Sequence, residues 1–380
     1  MKRESPRQTN DSEAEKEWSP LELAEMKTGR RIGQIRRPAG FSGRKRMKVE
    51  DQAACYHVMS RTVNGEFLFG SLEKEAFRRM MWRMAQFSGV EILTYALMDN
   101  HFHILLKVPC QEKWLRRFEG PEGEEKLLTH LSTVYSKAFL TQLRRELAQL
   151  RDLEDEEGAQ VLLARFKKRF CDMSLFVKEL KERFTRWYNK QNGRLGTLWM
   201  DRFKSVIVEN GKALETMAAY IDLNPVRAGL VDDPALSEWT GYGEAMSGSR
   251  RARRGLCKVV DVPQDAWEGL GQNRYRTWLY ADGVVVSEEH APGSKGRKKK
   301  GFTMKQMVKV RAEQEGAISP LLLIRKRISS FTNGVAVGSE DFVKGMAARY
   351  QTSYRRHRQK TGSKLGGNEG DKEQVYVMRE

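Results

Sequence analysis

The sequence predicts an α+β fold: a split β-α-β core with an antiparallel sheet, a helical insertion and a mainly helical C-terminal extension. Three observations predict it. Residues 55–61, 90–97 and 101–108 are short apolar runs rich in β-formers, the last two joined by the turn pair Asp99-Asn100. Between the first two, Phe77, Met80, Met81 and Met84 recur at helical spacing. A fourth apolar run at 204–209 precedes a helical pattern at 214–223. The order β-α-β-β is the first half and more of a ferredoxin-like arrangement.

Residues 1–48 read as a basic, disordered arm. It carries a short helical pattern at 13–27 around Trp18, Leu21, Leu23 and Met26. From Arg30 to Lys48 there are eight basic residues and no acidic one, broken by Pro38, Gly40 and Gly43. Such a stretch serves either as an arm along a phosphate backbone or as a solvated tail. Residues 49–248 read as the core domain. It is interrupted at about 111–190 by a helical insertion marked by Leu127, Leu128, Leu131, Val134, Tyr135, Phe139 and Leu140. A further helix at 174–188 takes Ser174 as its N-cap candidate. After the helix at 214–223, Asn224-Pro225 marks an end and Gly229 closes the next turn. Residues 249–380 read as a basic linker at Arg250, Arg251, Arg253 and Arg254, then a small accessory region. That region has helical patterns at 266–280, 302–315, 320–331 and 339–350, an exposed basic loop at 293–301 and a basic, mobile tail. Ser339 is positioned to cap the last helix.

The chain has 380 residues, 39% hydrophobic and 31% charged, enough for a sizeable core under a wet surface. No apolar run has membrane-spanning length, and no apolar segment follows the N-terminal Met1-Lys2-Arg3, so neither a membrane nor a secretory route is expected. Cys55, Cys110, Cys171 and Cys257 are too scattered for a disulfide framework or a zinc knuckle, which fits a reducing, cytoplasmic setting. The net charge of +18 points to a polyanionic partner, with nucleic acid ahead of acidic lipid.

His101-Phe102-His103 carries the chemistry. On a strand both imidazoles share one face and Phe102 takes the other, so the pair can grip a divalent cation. Such a cation needs a third ligand. Tyr220 and Asn224 lie four apart on one helix, so Asn224 can offer its side-chain oxygen while the Tyr220 hydroxyl stands one turn away. Imidazole with carboxamide oxygen suits Mg2+ or Mn2+ once a phosphate completes the shell. A phenol, with its pKa of about 10, attacks a phosphodiester only with help in losing its proton. Plainer readings stand beside these: Tyr220 as a packing tyrosine, and Asn224 as a helix terminator before proline. Arg202 and Lys204 are candidate phosphate contacts, and Trp199 and Phe203 either stack on bases or pack inside.

Four blocks carry a resemblance. Tyr56-His57-Val58-Met59-Ser60-Arg61, Ala96-Leu97-Met98-Asp99-Asn100-His101-Phe102-His103-Ile104-Leu105-Leu106, Gly196-Thr197-Leu198-Trp199-Met200-Asp201-Arg202-Phe203-Lys204-Ser205 and Tyr220-Ile221-Asp222-Leu223-Asn224-Pro225-Val226-Arg227-Ala228-Gly229 occur in that order. They resemble the IS200-like single-tyrosine (HUH) transposases, especially those associated with repetitive extragenic palindromes, over about residues 53–245. The resemblance implies Tyr220 as nucleophile, His101, His103 and Asn224 as ligands of Mg2+ or Mn2+, and cleavage and strand transfer of single-stranded or hairpin DNA through a 5′-phosphotyrosine. His57, Arg61, Trp199, Arg202, Lys204 and Arg227 become DNA-contact candidates, with His57 near the DNA or structural and not a ligand. It also implies a bacterial, nucleoid-associated location and raises the expectation of a homodimer. The long insertion, the arm and the C-terminal region depart from the minimal unit and suggest a host-kept enzyme. Two alternatives remain open: a non-catalytic DNA-binding regulator, and a replication- or conjugation-type nickase.

Overall fold

The computed structural model describes residues 47–283, 334–350, 363–364 and 376–379. The arm up to residue 46 with its helical pattern at 13–27, the basic loop at 293–301, the helical patterns at 302–315 and 320–331, and the basic cluster at 355–360 lie outside the described residues. The chain divides into two units: Lys45–Trp114 with Arg169–Glu380, and Leu115–Lys168 with Met1–Arg44.

The larger unit begins with β1 (Ala54–Arg61), α1 (Ser71–Ser88), β2 (Glu91–Leu97) and β3 (His101–Val108). Helix α1 buries Phe77, Met81, Met84, Ala85 and Phe87 on the stripe that the sequence periodicity marks. It ends at Gly89 in the left-handed region, φ 70°, where a Cβ would lie 2.5 Å from the Trp114 ring.

The smaller unit contributes α2 (Gly123–Leu131), α3 (Lys137–Asp152) and α4 (Glu156–Lys167). Ser136 caps α3 by accepting from the Phe139 N–H at 3.1 Å, and Asp155 caps α4 by accepting from the Gly158 N–H at 2.8 Å. Leu127, Leu131, Leu140, Leu143, Leu147, Ala159 and Leu163 are buried in this unit, and Tyr135 stacks on Phe139 with ring centroids 4.4 Å apart.

The chain returns to the larger unit with α5 (Met173–Gln191), β4 (Lys204–Val208), α6 (Lys212–Asp222), α7 (Asn224–Ala228), α8 (Gly241–Met246), α9 (Arg250–Val259) and α10 (Gln272–Gly283). The N-cap of α5 is Asp172, accepting from the Leu175 N–H at 2.9 Å, and not Ser174, which lies inside the first turn. The arginine run at 250–254, expected as a linker, is the first half of α9. Its arginines alternate with buried Ala252, Gly255 and Leu256, so one face is apolar. Gly255 lets α9 press on β2: a Cβ there would sit 2.5 Å from the Leu93 carbonyl oxygen.

The C-terminal region adds β5 (Gly334–Gly338), α11 (Glu340–Tyr350), β6 (Ser363–Lys364) and β7 (Tyr376–Arg379). The sheet order is β2-β3-β1-β4-β5-β7-β6. Every pairing is antiparallel except β4–β5, which is parallel. The fold is therefore α+β with a mixed sheet: the pairings among β1 to β4 are antiparallel, as the sequence predicts for the core, and the parallel pairing joins β4 to a strand of the C-terminal region. Among its described residues the C-terminal region is mainly helical, and three short segments of it extend the sheet. Glu209, just past β4, accepts from the Ser339 hydroxyl at 3.0 Å and from the Ser339 N–H, joining the new strand to the old edge. Ser339 also caps α11 as its position predicts, accepting from the Phe342 N–H at 3.2 Å.

Helices α1 and α5 cover one face of the sheet, and α6, α8, α9 and α10 cover the other. Strand alternation assigns the side chains. Phe102 on β3 meets Phe77 of α1 at 4.9 Å between centroids. His101, His103 and Leu105 take the α6 side.

Candidate functional site

The register of β1 against β3 sets Met59 opposite His103, His57 opposite Leu105 and Arg61 opposite His101. His57 is thus the diagonal neighbour of His103 on the same face. The two rings stack with centroids 5.1 Å apart, and His57 Nε2 lies 2.8 Å from His103 Nδ1. His101 stands edge-on to His103 at 5.0 Å. Helix α6 crosses this face and delivers Tyr220, whose ring lies edge-on to His103 at 5.8 Å and to His57 at 6.2 Å. The amphipathic sequence of α6, with Ala213, Met217, Ala218 and Ile221 buried, turns it this way.

Burial sets the charge states. His101 is pushed down to about 4, first by desolvation and then by the positive field of Arg61, with Asp99 opposing. His103 lies well below the usual histidine range because it is buried, and the neighbouring His57, His101 and Arg61 add to that. Both imidazoles are neutral at pH 7, the state a metal ligand requires. Burial raises Tyr220, and the nearby Arg227 guanidinium opposes this in part, so the phenol keeps its proton at neutral pH.

The donor set tests whether a cation fits. His101 Nδ1 lies 2.7 Å from Asn100 Oδ1, an acceptor only, so Nδ1 carries the proton and Nε2 keeps its lone pair. His103 Nδ1 is engaged by His57, and His103 Nε2 keeps a lone pair in the tautomer where Nδ1 is the donor. In that tautomer each imidazole offers one nitrogen, oriented by a hydrogen bond on the opposite nitrogen, which suits a divalent cation. His57 spends Nε2 on His103, so the three rings do not converge. Among the described residues no group of three His, Cys, Asp or Glu side chains is arranged to hold a metal ion.

The remaining expected residues fall in different places. Asn224 donates from Nδ2 to the carbonyls of Tyr220 at 3.0 Å and Ile221 at 3.2 Å, the helix-terminating use of this side chain. Proline does not end the helical path there: α7 continues from Asn224 and stops at Gly229, φ 72°. Arg227 is half-buried. It donates from Nη1 to the Tyr220 carbonyl at 3.0 Å and lies over the Tyr220 ring at 5.2 Å. His57, with 1% exposure, cannot touch DNA directly and belongs to the histidine cluster instead. For Trp199 the contacts favour the packing alternative. Its ring packs against Phe69, Phe77, Phe102 and Phe184, and its Nε1 donates to Thr185 Oγ1 at 2.9 Å, so no face is left for a base. Phe203 is buried as well. Arg61, Arg202 and Lys204 are exposed, Arg61 at the strand end beside His101.

Sequence reasoning missed two features. One is the membership of His57, whose signal was its position one register step from His103 once β1 and β3 are paired. The other is Asp222, fully buried two residues after Tyr220. Its carboxyl accepts from Thr94 Oγ1 at 2.8 Å, from the Tyr242 N–H at 3.1 Å and from the Tyr275 hydroxyl, tying α6 to β2, α8 and α10. Burial pushes it up to about 7, against those hydrogen bonds. An acid inside the apolar run Tyr220–Leu223 was the available signal.

No model of a known protein family matches the chain, and no curated protein matches it in sequence. Among solved structures, a REP-associated tyrosine transposase bound to a REP hairpin shows a weak, partial similarity. It has 14% identity and a TM-score of 0.33, covering 54% of this chain and 86% of that one.

Proposed function

We propose that this protein is a single-tyrosine DNA strand transferase acting on single-stranded or hairpin DNA, with β1 to β4 and their helices as a ferredoxin-like catalytic core. The observation that carries this reading is the packing of the Tyr220 ring against His103 and His57 within one chain. Two neighbouring strands of that core, β1 and β3, and helix α6 bring these residues together. The sequence blocks around His101, His103 and Tyr220 support the same reading.

The chemistry follows from these residues. The phenol oxygen of Tyr220 forms a bond to phosphorus, the P–O3′ bond breaks, and the 3′-hydroxyl leaves. The phenol proton must be removed as attack begins, because burial holds it on the oxygen at pH 7. His57, whose ring is edge-on to Tyr220, is the imidazole that would take that proton, since His103 is given to His57 and the cation. The phosphotyrosine linkage conserves the phosphodiester, so the reverse attack by a 3′-hydroxyl rejoins a strand. His101 and His103 would hold Mg2+ or Mn2+, which when bound polarises the scissile phosphate. Arg61, Arg202 and Lys204 would draw in the backbone.

The test is incubation with hairpin-containing single-stranded DNA and Mg2+ or Mn2+, read on a denaturing gel. A covalent protein–DNA band is expected from the wild type and none from Tyr220→Phe, with binding retained. His101→Ala should also lose the band. A second reading, a non-catalytic DNA-binding protein, is favoured by one observation: among the described residues no group of three His, Cys, Asp or Glu side chains is arranged to hold a metal ion. Absence of the band across a broad set of hairpins, with salt-sensitive binding intact, would establish that reading instead.

A further inference from the structure

Two loops at the His101 end of the sheet hold large apolar side chains out in solvent. Phe67 is 79% exposed, Leu195 93% and Met200 57%. Single exposed hydrophobes are ordinary, but these belong to one fastened platform. In the first loop, the Thr62 N–H donates to the Asn100 carbonyl and the Phe69 N–H to the Asp99 carbonyl, each at 2.9 Å. Asn100 Nδ2 donates to the Gly65 carbonyl at 3.0 Å. The loop carrying Phe67 is thus sewn at both ends to the turn that immediately precedes His101.

The second loop is sewn to the first. The Val63 N–H donates to the Leu198 carbonyl and the Met200 N–H to the Arg61 carbonyl, each at 3.0 Å. Arg194 pairs with Glu66 at 3.2 Å, and Phe67 and Leu195 are the next residues along from that pair. Met200 is bound to Arg61, the register partner of His101. The same loops send Phe69, Leu198 and Trp199 into the core. The backbone is therefore anchored, and the three outward side chains are a property of its path.

Two cations flank this patch. Arg61 and Arg202 are exposed beside Met200, by hydrogen bond and in sequence, while Arg194 neutralises Glu66; the chain as a whole carries +18. A ring and aliphatic surface set among arginines is how proteins hold unpaired strands, with bases stacking and phosphates pairing with the charge. We propose that Phe67, with Leu195 and Met200, forms a base-stacking platform that holds unpaired bases of single-stranded nucleic acid at the mouth of the histidine site. This rests on the nucleic-acid reading above and adds to it the surface that grips the bases.

The experiment compares full-length protein binding to a labelled single-stranded oligonucleotide and to an abasic strand of equal length at fixed salt. The wild type should favour the base-bearing strand by about five-fold or more, the scale of one stacked base. Phe67→Ala should drop that affinity to the abasic value, leaving abasic binding and the salt slope unchanged. Phe67→Trp should keep the preference, and Leu153→Ala, an equally exposed residue of the smaller unit at 78%, should not alter it. A 2-aminopurine in the strand should be quenched by the wild type and not by Phe67→Ala. Equal wild-type affinity for both strands would hand the patch to a protein partner and overturn the platform. So would a Phe67→Ala variant that keeps the full preference. If that happens while the wild type still forms the Tyr220 adduct, the platform falls and the strand-transferase reading stands. If neither strand is bound at all, both fall.

Discussion

The two faces of the sheet are closed by opposite kinds of chemistry. On the α1–α5 side the buried groups are rings: Phe69, Phe77, Phe102, Phe184 and Trp199 meet at tilted or edge-on angles, the usual preference of aromatic quadrupoles. On the α6 side the same sheet buries His57, His103, Thr94, Asp222 and Tyr220 among its apolar residues. Burying such groups costs free energy unless each is hydrogen-bonded. Here partners are present, and the ionisable groups shift toward their neutral forms. The first face holds the fold together. The second spends stability to keep a phenol and imidazoles together in a low-dielectric pocket.

The largest separation of the two faces should come from Tyr220→Phe. It deletes one hydroxyl, so the covalent band should vanish while the urea midpoint barely moves. Phe77→Ala should do the reverse. That ring has no exposure, and its loss should cost about 3–5 kcal/mol by urea unfolding. The protein that remains folded should still form the adduct.

Asp222→Asn probes the polar face directly. Burial holds the folded carboxyl at about 7, above the ordinary aspartate value of 3.8. A raised pKa means the folded state binds the extra proton. Its contribution is complete below pH 3.8, and it is lost as pH rises towards about 7. Wild-type stability measured in urea from pH 4 to 8 should therefore carry a downward component that the variant lacks. The contribution of the variant's side chain should stay level over that range, because an amide does not titrate. A pH profile identical to wild type would remove Asp222 from this role. The smallest effect should come from Asn224→Ala, about 0.5–1.5 kcal/mol for the lost bonds to the Tyr220 and Ile221 carbonyls. Loss of the adduct far beyond that loss of folded protein would show that Asn224 does more than finish a helix.

Local patterns were legible where one element decides the matter. The stripe of Phe77, Met81 and Met84 marks α1, and His101 and His103 fall on one side of a strand with Phe102 on the other. Ser339 caps α11 as its position predicts. The pattern was misleading where a charged run hid an apolar stripe. Arg250–Arg254 reads as a linker until Ala252 and Gly255 are seen against β2. Trp199 beside Arg202 reads equally as a stacking or a packing residue, and the aromatic cluster favours packing.

By itself the sequence determined which residues share a face within a strand or a helix, because backbone periodicity is local. It thereby determined that two imidazoles point the same way and that Tyr220 and Asn224 lie one turn apart. Only the tertiary structure decided that His57 joins His103, that β5 runs parallel to β4, and that Asp222 ties α6 to β2, α8 and α10. Each of those depends on which strand pairs with which and which helix crosses which face. Such contacts arise between residues tens to more than a hundred positions apart, where no local period reaches.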